Sequence, residues 1–425
     1  MKHSRRFLIA VLAVALVLMA VSSVRAQDKV TVTWWHINTG DPGLTDWQTM
    51  ADKYMADHPN VSIEITVLAN EDFKARLATV MQGGDPPDLF QSWGGGVLRA
   101  FAEAGLVRDI SAQLEGEWKD SFAAQSALAL YADANGTYGV PWTWGAVGFF
   151  YNKALFAKAG IDTPPATWSE FLTDVQKLKD AGIQPISLGE SEKWPGHFWW
   201  VYLAVRIGGQ EAFDAAYGRT GSFADAPYVE AGKKLQELIA LEPFADGFLG
   251  LTYNDQSAAM GNGEAAMELM GQWAPDVERS NSASGEGLGE DLGWFPFPAV
   301  EGGKGDPSDV MGGGDGFAVG KNAEDEAVDF LRFLTSKENQ LTMVGTGSVG
   351  GPVIVGTEES VKAPLDQVMA ARNNAKYFQL YYDQFLPPAV GEAVNDAVET
   401  LFAGTASPEE AAQAIEDVAA VELQK

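Results

Sequence analysis

The strongest constraint on this chain is the way its hydrophobic period changes near the start. Lys29-Val-Thr-Val-Thr-Trp-Trp35 has the composition of a strand. A loop, Asn38-Thr-Gly-Asp-Pro-Gly43, follows it, and then Leu44, Trp47, Ala51, Tyr54 and Met55 recur at helical spacing. His58-Pro-Asn60 breaks that helix, and Val61, Ile63, Ile65 and Val67 alternate as a second strand. Asn70 is placed to cap a second helix carrying Phe73, Leu77, Val80 and Met81, which stops at Gly83-Gly84. Asp85-Pro-Pro-Asp-Leu-Phe90 leads into a third strand. A β-α-β-α-β order predicts a parallel, doubly wound sheet with right-handed crossovers, hence an α/β fold.

The alternation resumes beyond the middle. Thr167-Trp-Ser-Glu170 is a capping box for a helix carrying Phe171, Val175 and Leu178, and Ile183 to Leu188 reads as a strand. Asn322 is placed to cap a helix with Ala327, Leu331 and Leu334 on its core face. Ser280 to Gly289 reads as an exposed loop, and after about residue 355 the pattern is almost wholly helical. The length, 425 residues, exceeds what one hydrophobic core holds, so two lobes are expected.

The first residues give an address. Lys2, Arg5 and Arg6 precede an apolar run, Phe7 to Val21, too short to span a bilayer, and Val24-Arg25-Ala26 offers small residues where a signal peptidase reads. Residues 1–26 are therefore expected to be a signal peptide cleaved after Ala26. The chain has no cysteine, which excludes disulfides, thiolate metal sites and a lipid-modified cysteine at the cleavage site. A periplasmic or extracellular location follows. That leader carries four of the 29 basic residues and none of the 58 acidic ones, leaving a formal charge of −33 on the rest. Nucleic acid and anionic membrane surfaces are excluded as partners by charge repulsion.

Catalytic and metal-binding patterns are scarce. The four histidines, His3, His36, His58 and His197, form no HExxH and no pair four apart, and no Ser has glycines two residues away on both sides. Gly345-Thr-Gly-Ser-Val-Gly350 matches GxGxxG by letters, but a helix-like run precedes it and Gly-Pro-Val-Ile-Val follows, so it is read as a loop. Tyr381-Tyr382 is read as helix packing rather than a metal-holding pair. No cofactor and no metal are expected.

The tryptophans do form a pattern. Trp34-Trp35 ends the first strand and Trp93 the third, where doubly wound sheets place their crevice. Trp142 and Trp144 lie in Gly139-Val-Pro-Trp-Thr-Trp-Gly145; Trp194 and His197 follow the strand ending near Leu188; Trp273 stands in Met270-Gly-Gln-Trp273. Trp93, Trp142, Trp144 and Trp194 directly neighbour Gly or Pro, and Trp273 has both within two positions, which argues for loops, whereas Trp47, Trp118 and Trp168 are assigned to packing. A pyranose presents C–H groups that stack on aromatic faces and hydroxyls that need amides and carboxylates, so the set points to a sugar.

The chain resembles the extracellular solute-binding proteins of carbohydrate ABC transporters, the family that includes maltose-binding protein. The resemblance rests on Gly83-Gly-Asp-Pro-Pro-Asp-Leu-Phe90, on Phe149-Phe-Tyr-Asn-Lys-Ala-Leu-Phe-Ala-Lys-Ala-Gly-Ile161 with Pro164-Pro-Ala-Thr-Trp-Ser-Glu-Phe171, and on Met270 to Trp273, Gly314 to Val319 and Glu326 to Leu334, in that order. It implies a two-lobe periplasmic-binding-protein fold, doubly wound sheets joined by hinge crossings, with a helical C-terminal segment. The implied lobes are 27–143 with 299–343, and 144–298 with 344–425. It also implies a ligand in the cleft between them and a hinge closure that the permease recognises.

Carried over by position, the implied ligand residues are Trp35, His36, Gln91, Trp93, Trp144, Trp194, His197, Trp273, Asp315 and Arg372. The implied function is non-enzymatic: binding of a neutral mono- or short oligosaccharide and its delivery, by a monomer, to the membrane permease subunits of an ABC importer. An exported glycoside hydrolase and a binding protein for a non-sugar solute are the alternatives. Asn38 to Gly43 lacks the Lys of the maltose-binding branch, and Phe90-Gln-Ser-Trp-Gly-Gly-Gly96 is more similar to branches that bind short oligosaccharides or simple hexoses.

Overall fold

A computed structural model describes residues 29–424, so the leader and its cleavage after Ala26 lie outside the described residues. β1 (Val30–His36), β2 (Val61–Val67) and β3 (Leu89–Ser92) form the expected parallel set, with β1 in the middle. Successive side chains on a strand point to opposite faces, and Trp34 and Trp35 show the result. Trp34 packs with Trp47, Met50, Ala51 and Tyr54 from helix Gly43–Asp57. Trp35 packs with Phe73, Leu77 and Met81 from helix Asn70–Gly83. The two crossover helices thus cover opposite faces of one sheet.

That sheet is completed by β4 (Gly139–Pro141) and β11 (Gly316–Val319), in the order β2-β1-β3-β11-β4, with β11 antiparallel to both neighbours. A second sheet orders β7 (Gln184–Ile186), β8 (Ala265–Met270), β6 (Gly148–Asn152) and β9 (Leu292–Phe295) as β7-β8-β6-β9. Between them, β5 (Gly145–Ala146), β10 (Val310–Gly313) and β12 (Phe378–Leu380) form a small sheet in the order β12-β10-β5. Gly314 lies just past β10, where a Cβ would fall 1.8 Å from the Thr143 carbonyl oxygen, so only glycine permits this approach of two connecting strands.

The packed cores divide the chain into two lobes. Residues from Val32 to Trp144 and from Phe317 to Ile354 share the N-terminal lobe's cores, and residues from Ala146 to Met311 and from Val368 to Ala419 share the C-terminal lobe's core. The first crossing thus falls between Trp144 and Ala146. The second lies beyond the expected boundary at 298, because segment 297–309 is held to the C-terminal lobe. There the buried Arg206 guanidinium donates to the carbonyls of Phe297, Pro298, Asp306 and Asp309. The third lies beyond 343, because Gln340 donates to the Trp142 carbonyl while its own oxygen accepts from Val353 and Ile354 N–H groups. Those bonds tie residues 353–354 to the N-terminal lobe.

Local expectations fare unevenly. The Thr167–Glu170 capping box is present. Asn70 is the first helical residue instead of the cap, which is Ala69, and the later helix begins at Asp325 behind Glu324, leaving Asn322 in the preceding turn. The GxGxxG letters cover the end of helix Lys337–Thr346 and the loop after it, with Gly347 at φ 88°, so no strand precedes them. The segment after 355 is mostly helical but contributes β12. Among the described residues no helix is long and apolar enough to cross a membrane.

Candidate ligand-binding cleft

A cavity of about 450 Å³ lies between the lobes. From the N-terminal side it receives Gln91 and Trp93 at the end of β3, Thr143 at the first crossing, and Asp315 in the turn between β10 and β11. The third strand of the parallel set ends there, so its terminal side chains open into the crevice.

The opposite wall is aromatic. Helix Trp194–Tyr217 presents Trp194 and Phe198, helix Tyr253–Gly261 presents Tyr253, and Trp273 and Tyr381 stand just ahead of helices Ala274–Asn281 and Tyr382–Phe385. Trp194 meets Tyr253 edge to face at 4.9 Å, and Phe198 stacks on Tyr381 at 5.2 Å. The contacts of Trp273 with Trp194, Phe198 and Tyr381 are all tilted or edge-on, at 6.2–6.5 Å. Gly271 lies behind its indole, where a Cβ would fall 2.2 Å from the ring. The glycine of Met270-Gly-Gln-Trp273 therefore lets the indole lie against backbone while it lines the cavity.

Polar groups are set among the rings. The Thr143 hydroxyl contacts an Asp315 carboxylate oxygen at 3.3 Å and lies 3.2 Å from the Asp315 N–H, while the Trp142 and Thr143 amides donate to the Asp315 carbonyl at 2.6 and 2.9 Å. Enclosure by protein pushes the Asp315 pKa up to about 6, against the opposing pull of the Thr143, Trp93 and Gln91 side chains. Glu192 accepts from the Trp194 indole at 3.0 Å and from the Tyr253 N–H at 3.4 Å, and burial raises its pKa. Burial also lifts Asp276 to about 6, opposed by Arg279 2.6 Å away.

Of the ten side chains expected at the ligand, Gln91, Trp93, Trp194, Trp273 and Asp315 come together here. Trp194 does so as the first residue of a long helix, not from a loop. The other five lie elsewhere. Trp35 belongs to the far face of the sheet, with the Arg76 guanidinium 4.8 Å above its ring. His36 is fully buried between Trp34 and Trp47, and desolvation lowers its pKa to about 4. His197 is fully buried, 3.7 Å from Asp383, and burial pushes its pKa down. Trp144 stacks on Phe378 at 4.5 Å, and Arg372 donates to the Trp144 carbonyl at 2.7 Å and to Glu358 at 2.6 Å. Those two line a separate cavity of about 400 Å³.

Tyr253, Tyr381, Phe198 and Glu192 were not anticipated at the cleft, and Trp47, assigned to packing, is buried yet lines it. Tyr381 and Tyr382 both belong to the C-terminal lobe's core, and Tyr381, just ahead of the helix that Tyr382 starts, also lines the cleft.

Residues 41–341 match the family of bacterial extracellular solute-binding proteins, more than half of the chain. The chain belongs to this family. Its members are binding proteins, not enzymes, and act outside the cytoplasm. A probable sugar-binding periplasmic protein of Rhizobium meliloti is 26% identical, over 97% of this chain and 98% of that one. A Pyrococcus horikoshii ABC transporter extracellular-binding protein is 26% identical over 65% of this chain, which spans 62% of that relative's length. Among solved structures, a chitin oligosaccharide binding protein superposes with a TM-score of 0.85 at 26% identity, over 94% of this chain and all of that one. One from a study of xylan utilization by Caldanaerobius polysaccharolyticus reaches 0.85 at 28% identity, over 91% and 99%. The two-lobe α/β architecture is the family's.

Proposed function

We propose that this solute-binding protein captures a mono- or short oligosaccharide in the interlobe cleft and delivers it to the permease subunits of an ABC importer. One observation carries the reading: a wall of Trp194, Tyr253, Trp273 and Tyr381 faces Gln91, Thr143 and Asp315 across a single cavity. Aromatic faces for C–H groups opposite amide, hydroxyl and carboxylate groups for hydroxyls is the chemistry of saccharide recognition. The volume, about 450 Å³, suits a small ligand. Relatives with sugar-binding names support it, and so do structural neighbours that bind chitin oligosaccharide or were studied in xylan use.

The protein works as an exported monomer, freed from its leader after Ala26, and closes its lobes about the three crossings. The test is intrinsic tryptophan fluorescence of the ligand-stripped protein, residues 27–425, titrated with a panel of mono- and oligosaccharides. A saturable change with one class of sugar is expected. Silence across the panel, with no thermal shift, would remove the sugar reading.

A further inference from the structure

The cleft is charged in one direction. Among the described residues six carboxylates line it, against one base, Lys74. That base is already committed, with its ammonium 2.8 Å from Glu71, and Asp276 has its own partner in Arg279. Two further carboxylates of the site have no such cation among the described residues. Asp315 is held by neutral donors alone, Thr143 chief among them. Asp383 accepts from the Gln384 amide at 3.1 Å, and among the described residues its one ion-pair partner is His197 at 3.7 Å, whose pKa burial pushes down.

Both carboxylates line the same cavity as the Tyr381 phenol, and their charges act on it. The Tyr381 hydroxyl is held protonated well above its ordinary range, first by burial and then by the negative charges of Asp315 and Asp383. Tyr381 is 5% exposed and lines the cavity, yet its hydroxyl has no hydrogen-bond partner among the described residues. Enclosed carboxylates without a counter-ion, beside a polar atom without a partner, are costly unless a ligand supplies what is missing. Trp273, which meets Tyr381 edge-on in the same cavity, adds a ring face that favours a cation.

We propose that Asp315, Asp383 and the Tyr381 hydroxyl form a subsite for an ammonium group. The cleft then takes a saccharide bearing a free primary amine in preference to its hydroxyl, N-acetyl or carboxylate counterpart. This rests on the sugar reading above and changes the expected neutral ligand to a cationic one. An ammonium has three N–H donors, enough for both carboxylates and the phenol oxygen. A uronic acid finds no free base and meets the negative wall.

The experiment is calorimetric titration of the full mature chain with a β-1,4-linked series that differs in one substituent: cellobiose, the glucosamine dimer, its di-N-acetyl form and a glucuronate-containing disaccharide. The glucosamine dimer is expected to bind at least roughly tenfold more tightly than cellobiose at low salt, with the advantage shrinking as sodium chloride screens the charges. The glucuronate is expected to bind weakest. In Asp315→Asn and Asp383→Asn, each checked for folding by thermal melting, the amine-to-hydroxyl ratio should fall towards one. Binding of cellobiose or the acetylated dimer as tightly as the amine would overturn the subsite and leave the sugar reading standing. An amine advantage untouched by salt and by both variants would also overturn it. No binding by any of the four, nor by the wider panel, would bring down both.

Discussion

The cleft and the rear cavity beside the crossings have similar ingredients and opposite chemistry. Both are lined by tryptophan, both are a few hundred Å³, and both hold residues that a sequence reading places at the ligand. At the rear, the Trp144 face is covered by Phe378 at an interplanar angle of 19°, and each Arg372 donor group has a protein partner. In the cleft, among the described residues, Trp273 meets its neighbours only tilted or edge-on, and the Tyr381 hydroxyl is unpartnered. An aromatic residue becomes a binding residue when its face is left uncovered, and a polar one when its valence is unfilled. Residue type alone separates neither.

Four substitutions break or sharpen this comparison. The largest effect is expected from Trp144→Ala, which empties the stack on Phe378 and should cost about 3–5 kcal/mol of unfolding free energy in urea melts. Sugar affinity of the protein that remains folded should barely change. Trp273→Ala should do the reverse, weakening the sugar by about 2–4 kcal/mol, roughly 30- to 1000-fold by calorimetry, with a smaller loss of stability. Arg372→Lys cannot reproduce the fork that joins the Trp144 carbonyl to Glu358, and about 1.5–3 kcal/mol of stability should go with those charged hydrogen bonds.

The smallest effect is a change of pH slope. Asp315 sits at about 6 in the fold against an ordinary value of 3.8, so the folded state holds that proton more tightly than the unfolded chain. Its contribution to stability is present below pH 3.8 and is lost as pH rises through about 6. Asp276 acts in the same direction. The melting temperature of ligand-free Asp315→Asn should therefore fall less between pH 4.5 and pH 7 than that of the wild type. An identical slope would contradict the raised value.

Much of the frame was legible because local rules decide it. Adjacent Trp34 and Trp35 must face opposite sides of a strand, and each helix of the N-terminal alternation carries the stripe that covers one of them. Trp93 could be placed because the end of a parallel strand is where such sheets open, and Gln91 came with the resemblance. What was not legible depends on partners far along the chain. Nothing near Trp144 announces Phe378, and nothing near residue 298 shows that Arg206 will hold the following segment to the C-terminal lobe. His197 illustrates the same limit: one turn into helix Trp194–Tyr217, it turns away from the cavity that Trp194 and Phe198 line.

Hydrogen–deuterium exchange of the wild-type protein, with and without a saturating saccharide, tests most directly which of the two cavities binds. Protection is expected in peptides carrying Gln91 to Trp93, Glu192 to Phe198, Gln272 to Val277 and Tyr381 to Gln384, with none at Ala123 to Leu130 and Arg372 to Ala375 beyond what lobe closure spreads along the crossings. Protection concentrated on that second pair of segments, with the aromatic wall unchanged, would contradict a saccharide site in the cleft.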